Sequence, residues 1–167
     1  MYLKNSWYVA AWSREVGDAP LARTLLDQPV VMYRAANGAA VALADRCCHR
    51  HLPLSMGAVV GDDLQCGYHG LKFDSSGACV EVPGQTQIPP GARVKSYPVV
   101  EKFHWVWIWM GDPEKADEAL IPNWWQADHP DWASAQPDPL YLKANYRLIG
   151  DNVLDVTHVN YVHGSTI

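Results

Sequence analysis

Apolar residues gather in short runs through the first hundred positions of the chain, at Pro29 to Tyr33, Ala39 to Ala44 and Val94 to Val100, with turn residues between them. Runs of this length, rich in β-branched side chains, predict the strands of a mainly β, antiparallel domain. Asn37-Gly38 falls between two of them and predicts a hairpin, because both residues tolerate positive φ. The run Trp105-Val106-Trp107-Ile108-Trp109 would direct three indoles to one face and two aliphatics to the other. That pattern predicts a strand covered on both sides.

At Gly111-Asp112-Pro113 the alternation stops. The stretch to Pro139 holds five prolines, scattered acids and Trp124, Trp125 and Trp132. Its polar, proline-rich composition breaks regular structure, while three tryptophans are too much apolar surface to leave wet, so it reads as an ordered connector packed on a domain or subunit surface. The expected organisation is a β domain over residues 1–112, a connector over 113–140, and the first strand and a helix of a second domain over 141–167.

Composition narrows the class. A chain of 167 residues with 49% hydrophobic and 19% charged residues is globular and long enough to bury a core. The net charge of -5 is uneven, since Asp112 to Asp138 carries seven acids against the single Lys115. No broad basic stripe exists for a nucleic-acid backbone. No signal-peptide pattern opens the chain, and no apolar run approaches bilayer length, so no membrane is expected and a cytoplasmic location is. Four cysteines without a disulfide-type framework fit a reducing compartment.

The cysteines and histidines carry the chemistry. Cys47-x-His49 is followed, after sixteen residues, by Cys66-x-x-His69. Zinc fingers cluster like with like, C-x2-4-C and then H-x3-5-H, around one ion. Here each pair supplies one thiol and one imidazole, which suits a Rieske 2Fe-2S centre, where two thiolates hold one iron and two imidazoles the other. Gly57, Gly67 and Gly70 permit tight loops whose N–H groups approach the bridging sulfides. Spacing selects Cys47 over Cys48, because residues two apart face the same way in an extended loop while Cys48 and His49 diverge. His51 reads as a loop histidine rather than a substitute for His49, and Cys79 as a small half-buried hydrophobe.

A second constellation closes the chain: Asn152, Asp155, His158 and His163, in the order N-x2-D-x2-H-x4-H. On one helix the first three would share a face. His158 and His163 are five apart, about 140° around an ideal helix, so gripping one ion requires a bend, bulge or helix end between them. Alone, the segment also reads as an ordinary helix with solvated Asp and His residues.

With both motifs in place, the chain resembles the N-terminal half of a Rieske non-heme iron aromatic oxygenase, in the subgroup of vanillate O-demethylase, dicamba monooxygenase and toluenesulfonate methyl-monooxygenase. KNSWYVAAW, CCHRHLPLSMG, CGYHGLKF, VKSYPVVEK, VWIWMGDP and DNVLDVTHVNYVH carry the resemblance. It implies an antiparallel β-sandwich Rieske domain followed by the start of an α+β, helix-grip catalytic domain. It implies that Cys47, His49, Cys66 and His69 hold the cluster and that His158 and His163 hold a mononuclear Fe(II). Asp155 would accept hydrogen bonds from two metal-bound imidazoles and so link the two iron sites, with Asn152 beside the iron.

The resemblance further implies a ring-shaped homotrimer with head-to-tail contact between cluster and iron. NAD(P)H electrons would arrive through a ferredoxin/flavin reductase, and O2 would be used to monooxygenate a small aromatic compound by O-demethylation or methyl hydroxylation. The third iron ligand, a downstream carboxylate in that family, and most of the substrate pocket have no counterpart in the 167 residues, so this portion alone is expected to be inactive. Two other classes compete: a Rieske ferredoxin that only shuttles electrons, which has no use for DNVLDVTHVNYVH, and a zinc-stabilised binding domain.

Overall fold

The computed structural model describes residues 2–166, which fall into two compact units divided between Ser134 and Ala135. The first unit is built of three antiparallel sheets. β2 (Leu21–Leu25), β3 (Gln28–Arg34), β4 (Ala40–Ala44) and β9 (Ser96–Tyr97) form one. β5 (Ala58–Val60), β6 (Asp63–Gln65), β7 (Lys72–Phe73) and β8 (Cys79–Glu81) form another. β1 (Ser6–Trp12), β11 (Trp105–Met110) and β10 (Val99–Lys102) form the third, with β11 in the middle.

The β2-β3-β4-β9 sheet is the middle layer. Val31 and Tyr33 on β3 and Val41 and Leu43 on β4 point into a core shared with Leu64 and Phe73 of the β5–β8 sheet. The alternate residues Val30, Met32 and Ala42 point into a second core with Val106, Ile108 and Met110 of β11. A strand buried on both faces must be apolar at every position, which is why Pro29 to Tyr33 reads as an unbroken apolar run. β11 follows the same rule: Val106 and Ile108 face the second core, while Trp107 packs with Phe103 and Ile121 on the far side.

The β3–β4 hairpin forms at Asn37-Gly38, with a different turn from the one the dipeptide suggests. Gly38 N–H donates to Ala35 O at 2.9 Å and Ala35 N–H to Ala39 O at 2.9 Å. Only Gly38 of the pair takes a positive φ, +86°, so the loop is longer than a two-residue turn. The single strand expected over Val94 to Val100 is two strands in two sheets, β9 and β10, divided at Pro98. Proline has no N–H for a ladder, but its carbonyl accepts from Trp109 N–H at 2.9 Å, so the chain changes sheet there.

Residues 113–134 fold onto the β1-β11-β10 sheet by short 3₁₀ turns. Trp7 Nε1 donates to Asp117 O at 2.8 Å, His104 Nε2 meets Ala127 O at 2.9 Å, and Ile121 is buried. Trp124 stacks edge-on against Trp105, and Trp125 against Trp132, but all three connector indoles keep substantial exposure.

The second unit departs from expectation at its start: residues 141–145 form no strand among the described residues, and α1 (Tyr146–Leu154) begins directly. A strand needs a hydrogen-bonding neighbour, and none of the described strands pairs with this stretch. Asn145 caps α1 by accepting from Arg147 N–H at 3.0 Å. A 3₁₀ turn (Val156–His158) and a short α2 (Val159–Val162) complete the unit. Among the described residues no helix is long and apolar enough to cross a membrane.

Candidate metal sites

Two loops with one backbone frame carry the first set of donors. Cys47 N–H donates to Leu52 O at 2.9 Å and His51 N–H to Cys47 O at 3.0 Å. Cys66 N–H donates to Leu71 O at 2.8 Å and Gly70 N–H to Cys66 O at 3.1 Å. Each loop therefore closes from its cysteine to the residues four and five ahead, and each closure passes through a left-handed residue, His51 at φ +60° and Gly70 at φ +75°. His51 occupies the position that glycine fills in the twin loop. Its place is set by backbone geometry, as the loop reading expected, and sequence spacing carried no sign of that equivalence.

The loops hold their donors in two layers. Cys47 and Cys66 are buried, at 2% and 3% exposure, and their thiols meet. His49 and His69 lie at the surface with ring centroids 4.6 Å apart. Tyr68 packs on the His69 ring at 3.8 Å. Burial pushes the Cys47 thiol up to about 11, reinforced by the adjacent Cys66 thiol, while the His49 backbone N–H aimed at the Cys47 sulfur pulls it down. A Cys47 thiol this reluctant to ionise needs a cation to become thiolate. Two buried sulfurs, one backed by an N–H donor, below two solvent-facing imidazoles fit the two-thiolate, two-imidazole donor set that a Rieske 2Fe-2S cluster would need. Cys48 turns away from this donor set: it packs against the first core, close to Arg93 N–H. Cys79 is buried and donates to Glu81 O at 3.4 Å.

Two contacts tie the loops together. Asp45, buried just ahead of the first loop, accepts from Ser55 N–H at 2.7 Å through Oδ1 and from Ser55 Oγ at 2.6 Å through Oδ2. That anchors the 3₁₀ turn Leu54–Met56 to the Cys47 loop. Beyond this turn, Gly57 and Gly67 pass so closely that a Cβ on Gly57 would sit 1.9 Å from Gln65 O and one on Gly67 2.6 Å from Met56 O. Gly57 has ordinary extended dihedrals, so it is there for space rather than for φ. Nothing in the sequence marks Asp45 or Ser55 as part of the site.

The second set lies in residues 146–163. The helix expected to carry Asn152, Asp155 and His158 on one face ends at Leu154, and Asp155 is extended at φ -87°, ψ 90°. The cause is local. Asp155 Oδ1 accepts from Thr157 N–H and from Thr157 Oγ1, capping the next turn, and Asp, as a capping residue, competes with helix continuation. These hydrogen bonds hold the Asp155 carboxyl below the usual carboxylate range. Its backbone carbonyl, not its carboxylate, meets His158 Nδ1. A carbonyl only accepts, so Nδ1 carries the proton and Nε2 is left with a lone pair for a metal.

His163 terminates α2, and its ring centroid lies 5.4 Å from that of His158. The distortion expected between the histidines is thus a break ahead of His158 and a helix end at His163. Asn152 is exposed in the last turn of α1 and makes no side-chain hydrogen bond among the described residues. Two imidazoles with one Nε2 presented fit part of a non-heme iron site, and no group of three or more donors converges on one point among the described residues.

Residues 6–98 match the family model of the Rieske [2Fe-2S] domain. The chain belongs to that family. Behind the Rieske domain, residues 142–167 match the model of the vanillate O-demethylase oxygenase C-terminal domain. Over its whole length the chain is 51% identical to the iron-sulfur subunit of a toluene-4-sulfonate monooxygenase system from Comamonas testosteroni, spanning 48% of it. It is 42% identical, over 97% of its length, to the oxygenase component of dicamba O-demethylase from Stenotrophomonas maltophilia, again spanning 48%. Dicamba monooxygenase bound to dicamba superposes with a TM-score of 0.93 over 98% of this chain and 49% of that one. The Rieske domain and the segment that follows it thus span about half the length of the curated relatives they match.

Proposed function

We propose that the chain is the N-terminal half of a terminal oxygenase that takes single electrons into a Rieske cluster and uses O2 at a second, mononuclear iron to monooxygenate a small aromatic compound. Cys47, Cys66, His49 and His69 hold the cluster, and His158 and His163 supply two ligands to the iron. When bound, the cluster supplies electrons one at a time and the iron supplies a place to activate O2. Burial of Cys47 and Cys66 would keep water from the thiolate side, and the exposed His49 and His69 would be the ligands open to a donor and an acceptor. The Asp155 carbonyl fixes the His158 tautomer. NAD(P)H is the electron source through a separate ferredoxin/flavin reductase, the assembly is a homotrimer in which cluster and iron of neighbouring subunits meet, and the reaction is O-demethylation or methyl hydroxylation.

The observation that carries this reading is the second histidine pair. A Rieske electron carrier has no use for His158 and His163 with their rings 5.4 Å apart and Nε2 of His158 presented. The relatives' descriptions as monooxygenase and O-demethylase components agree with it. The test is His158→Ala in the full-length enzyme. The Rieske EPR signal should persist while O2-dependent turnover disappears. Retained turnover would return the protein to the electron-carrier class, and a colourless, zinc-loaded preparation would remove iron chemistry altogether.

A further inference from the structure

His51 takes the left-handed backbone that glycine takes in the twin loop, with φ +60° against +75° at Gly70. Glycine would hold that turn at lower cost to the fold. His51 is exposed, and its side chain makes no hydrogen bond among the described residues, so neither the turn nor the core uses the imidazole. Instead, His51 lines a cavity of about 470 Å³ together with Arg46, Gln28 and Asp45.

The free polar groups of these residues are donors. The Arg46 guanidinium has no hydrogen bond or ion pair among the described residues. Tyr97 Oη donates to Gln28 Oε1 at 3.1 Å, which engages the amide oxygen and leaves the amide N–H groups of Gln28 without a partner among the described residues. An imidazole carries an N–H in either neutral tautomer. The carboxylate of the lining, Asp45, is buried with both oxygens on Ser55. Lys95 adds a positive charge close by, its Nζ 4.4 Å from the centre of the Tyr97 ring. The other walls, Pro29, Pro53 and Tyr97, are apolar rings.

We propose that this cavity binds a small aromatic anion, an aryl carboxylate or sulfonate, with its acid group on Arg46, His51 and the Gln28 amide and its ring against Pro29, Pro53 and Tyr97. The inference goes beyond the oxygenase reading and stands without it, since none of these residues is among the proposed iron ligands. Small-molecule sites run to roughly 300–1,000 Å³ and combine mostly apolar walls with a few polar groups that fix orientation. The arginine fork matches two oxygens of a carboxylate or sulfonate, and such charge-assisted pairs are the strong ones. An excess of donors with no free acceptor discriminates against cationic and neutral rings, which would leave those donors unmatched.

The test is equilibrium binding of benzoate and benzenesulfonate to the cluster-loaded chain, followed by calorimetry and ligand-observed NMR. Each should bind saturably at one site per chain with a Kd on the order of 1 mM, as befits so small a ligand. Acetate, which lacks the ring, and benzamide, which lacks the charge, should bind about tenfold more weakly or worse. Arg46→Gln should weaken benzoate about tenfold or more, while Arg50→Gln, at an exposed arginine of the same loop outside the lining, should leave it unchanged. His51→Gly separates binding from folding, because it removes the imidazole and relieves the backbone: benzoate should bind severalfold more weakly while Tm holds or rises.

Absence of saturable benzoate binding to the unmodified protein overturns the site. So does full affinity in Arg46→Gln or in His51→Gly, equal weakening by Arg50→Gln, or acetate binding as tightly as benzoate. Self-association that Arg46→Gln abolishes and benzoate reverses would give the cavity to a carboxylate of a second copy, and that too overturns the small-molecule site.

Discussion

Gly57→Ala tests whether the twin loops are fixed by backbone contact. The new Cβ would lie 1.9 Å from Gln65 O and 3.1 Å from Gly67 N. A carbon and a carbonyl oxygen approach to about 3.3 Å, so the two segments must separate by more than 1 Å. Neither side can yield cheaply, because both are backbone: Gln65 is paired with Ala58 in β6 and β5, and Met56 is held by the Asp45–Ser55 anchor. Overpacking a closed interior costs about 1–3 kcal/mol, and a backbone clash belongs at the upper end. That corresponds to a fall in Tm of roughly 6–12 °C. More telling is the metal, since ligand distances tolerate only about 0.2 Å. Iron and acid-labile sulfide per chain should drop well below two each, and the Rieske EPR signal should weaken or broaden. Gly61→Ala is the control: nothing lies within 4 Å of its Cβ position, and only its φ of +66° is offended. It should cost about 1 kcal/mol and leave the cluster untouched. A Gly57→Ala protein with two irons, two sulfides, an unaltered spectrum and an unaltered Tm would refute the argument.

His51→Gly should keep the full cluster and raise stability by up to about 1 kcal/mol, because glycine relieves the left-handed residue; loss of iron in that variant would make His51 a ligand after all. Asp45→Ala removes two hydrogen bonds from a buried carboxylate and should cost about 3 kcal/mol or more, read as a lowered urea midpoint and faster iron loss to a chelator. Tyr33 is fully buried, and burial, with Asp63, Asp74 and Asp62 nearby, lifts its hydroxyl from 10.0 to about 12. The folded state therefore keeps it neutral where the unfolded chain ionises. This contribution, about 2–3 kcal/mol, is whole below pH 10 and drains as pH rises toward 12. Tyr33→Phe should flatten that slope, and urea midpoints of both proteins declining in parallel from pH 9 to 12 would count against it. Asp155→Asn in the full-length enzyme should keep both metal sites yet lose coupled turnover, and full activity would remove Asp155 from the electron route.

How legible each part was depends on where its residues do their work. β3, β4 and β11 could be read because they are buried on both faces, and burial writes itself into every position. The short strands β5 to β8 left a weaker trace, since their exposed positions, such as Val60 and Val80, are not polar enough to mark alternation. Pro98 was visible, but that it moves the chain from one sheet to another is a tertiary fact. At the C-terminus, the even spacing of Asn152, Asp155 and His158 concealed a helix break, because the three-residue cap Asp155-Val-Thr157 overrides periodicity. The four residues proposed to hold the cluster stood out in the sequence by their chemistry. Asp45, Ser55 and the role of His51 did not, because Asp45 and Ser55 meet through a carboxylate contact between residues ten apart and His51 acts through its backbone.

The Asp45–Ser55 bond and the Gly57–Gly67 contact hold the two ligand loops in register without drawing on iron at all. A zinc finger has no such scaffold and folds only as its metal arrives. Here the polypeptide supplies contacts of its own between the loops, and the expected order of maturation is that the β domain folds first and an assembled cluster is then delivered to it. Iron starvation should then yield folded, fillable apoprotein rather than unfolded chain.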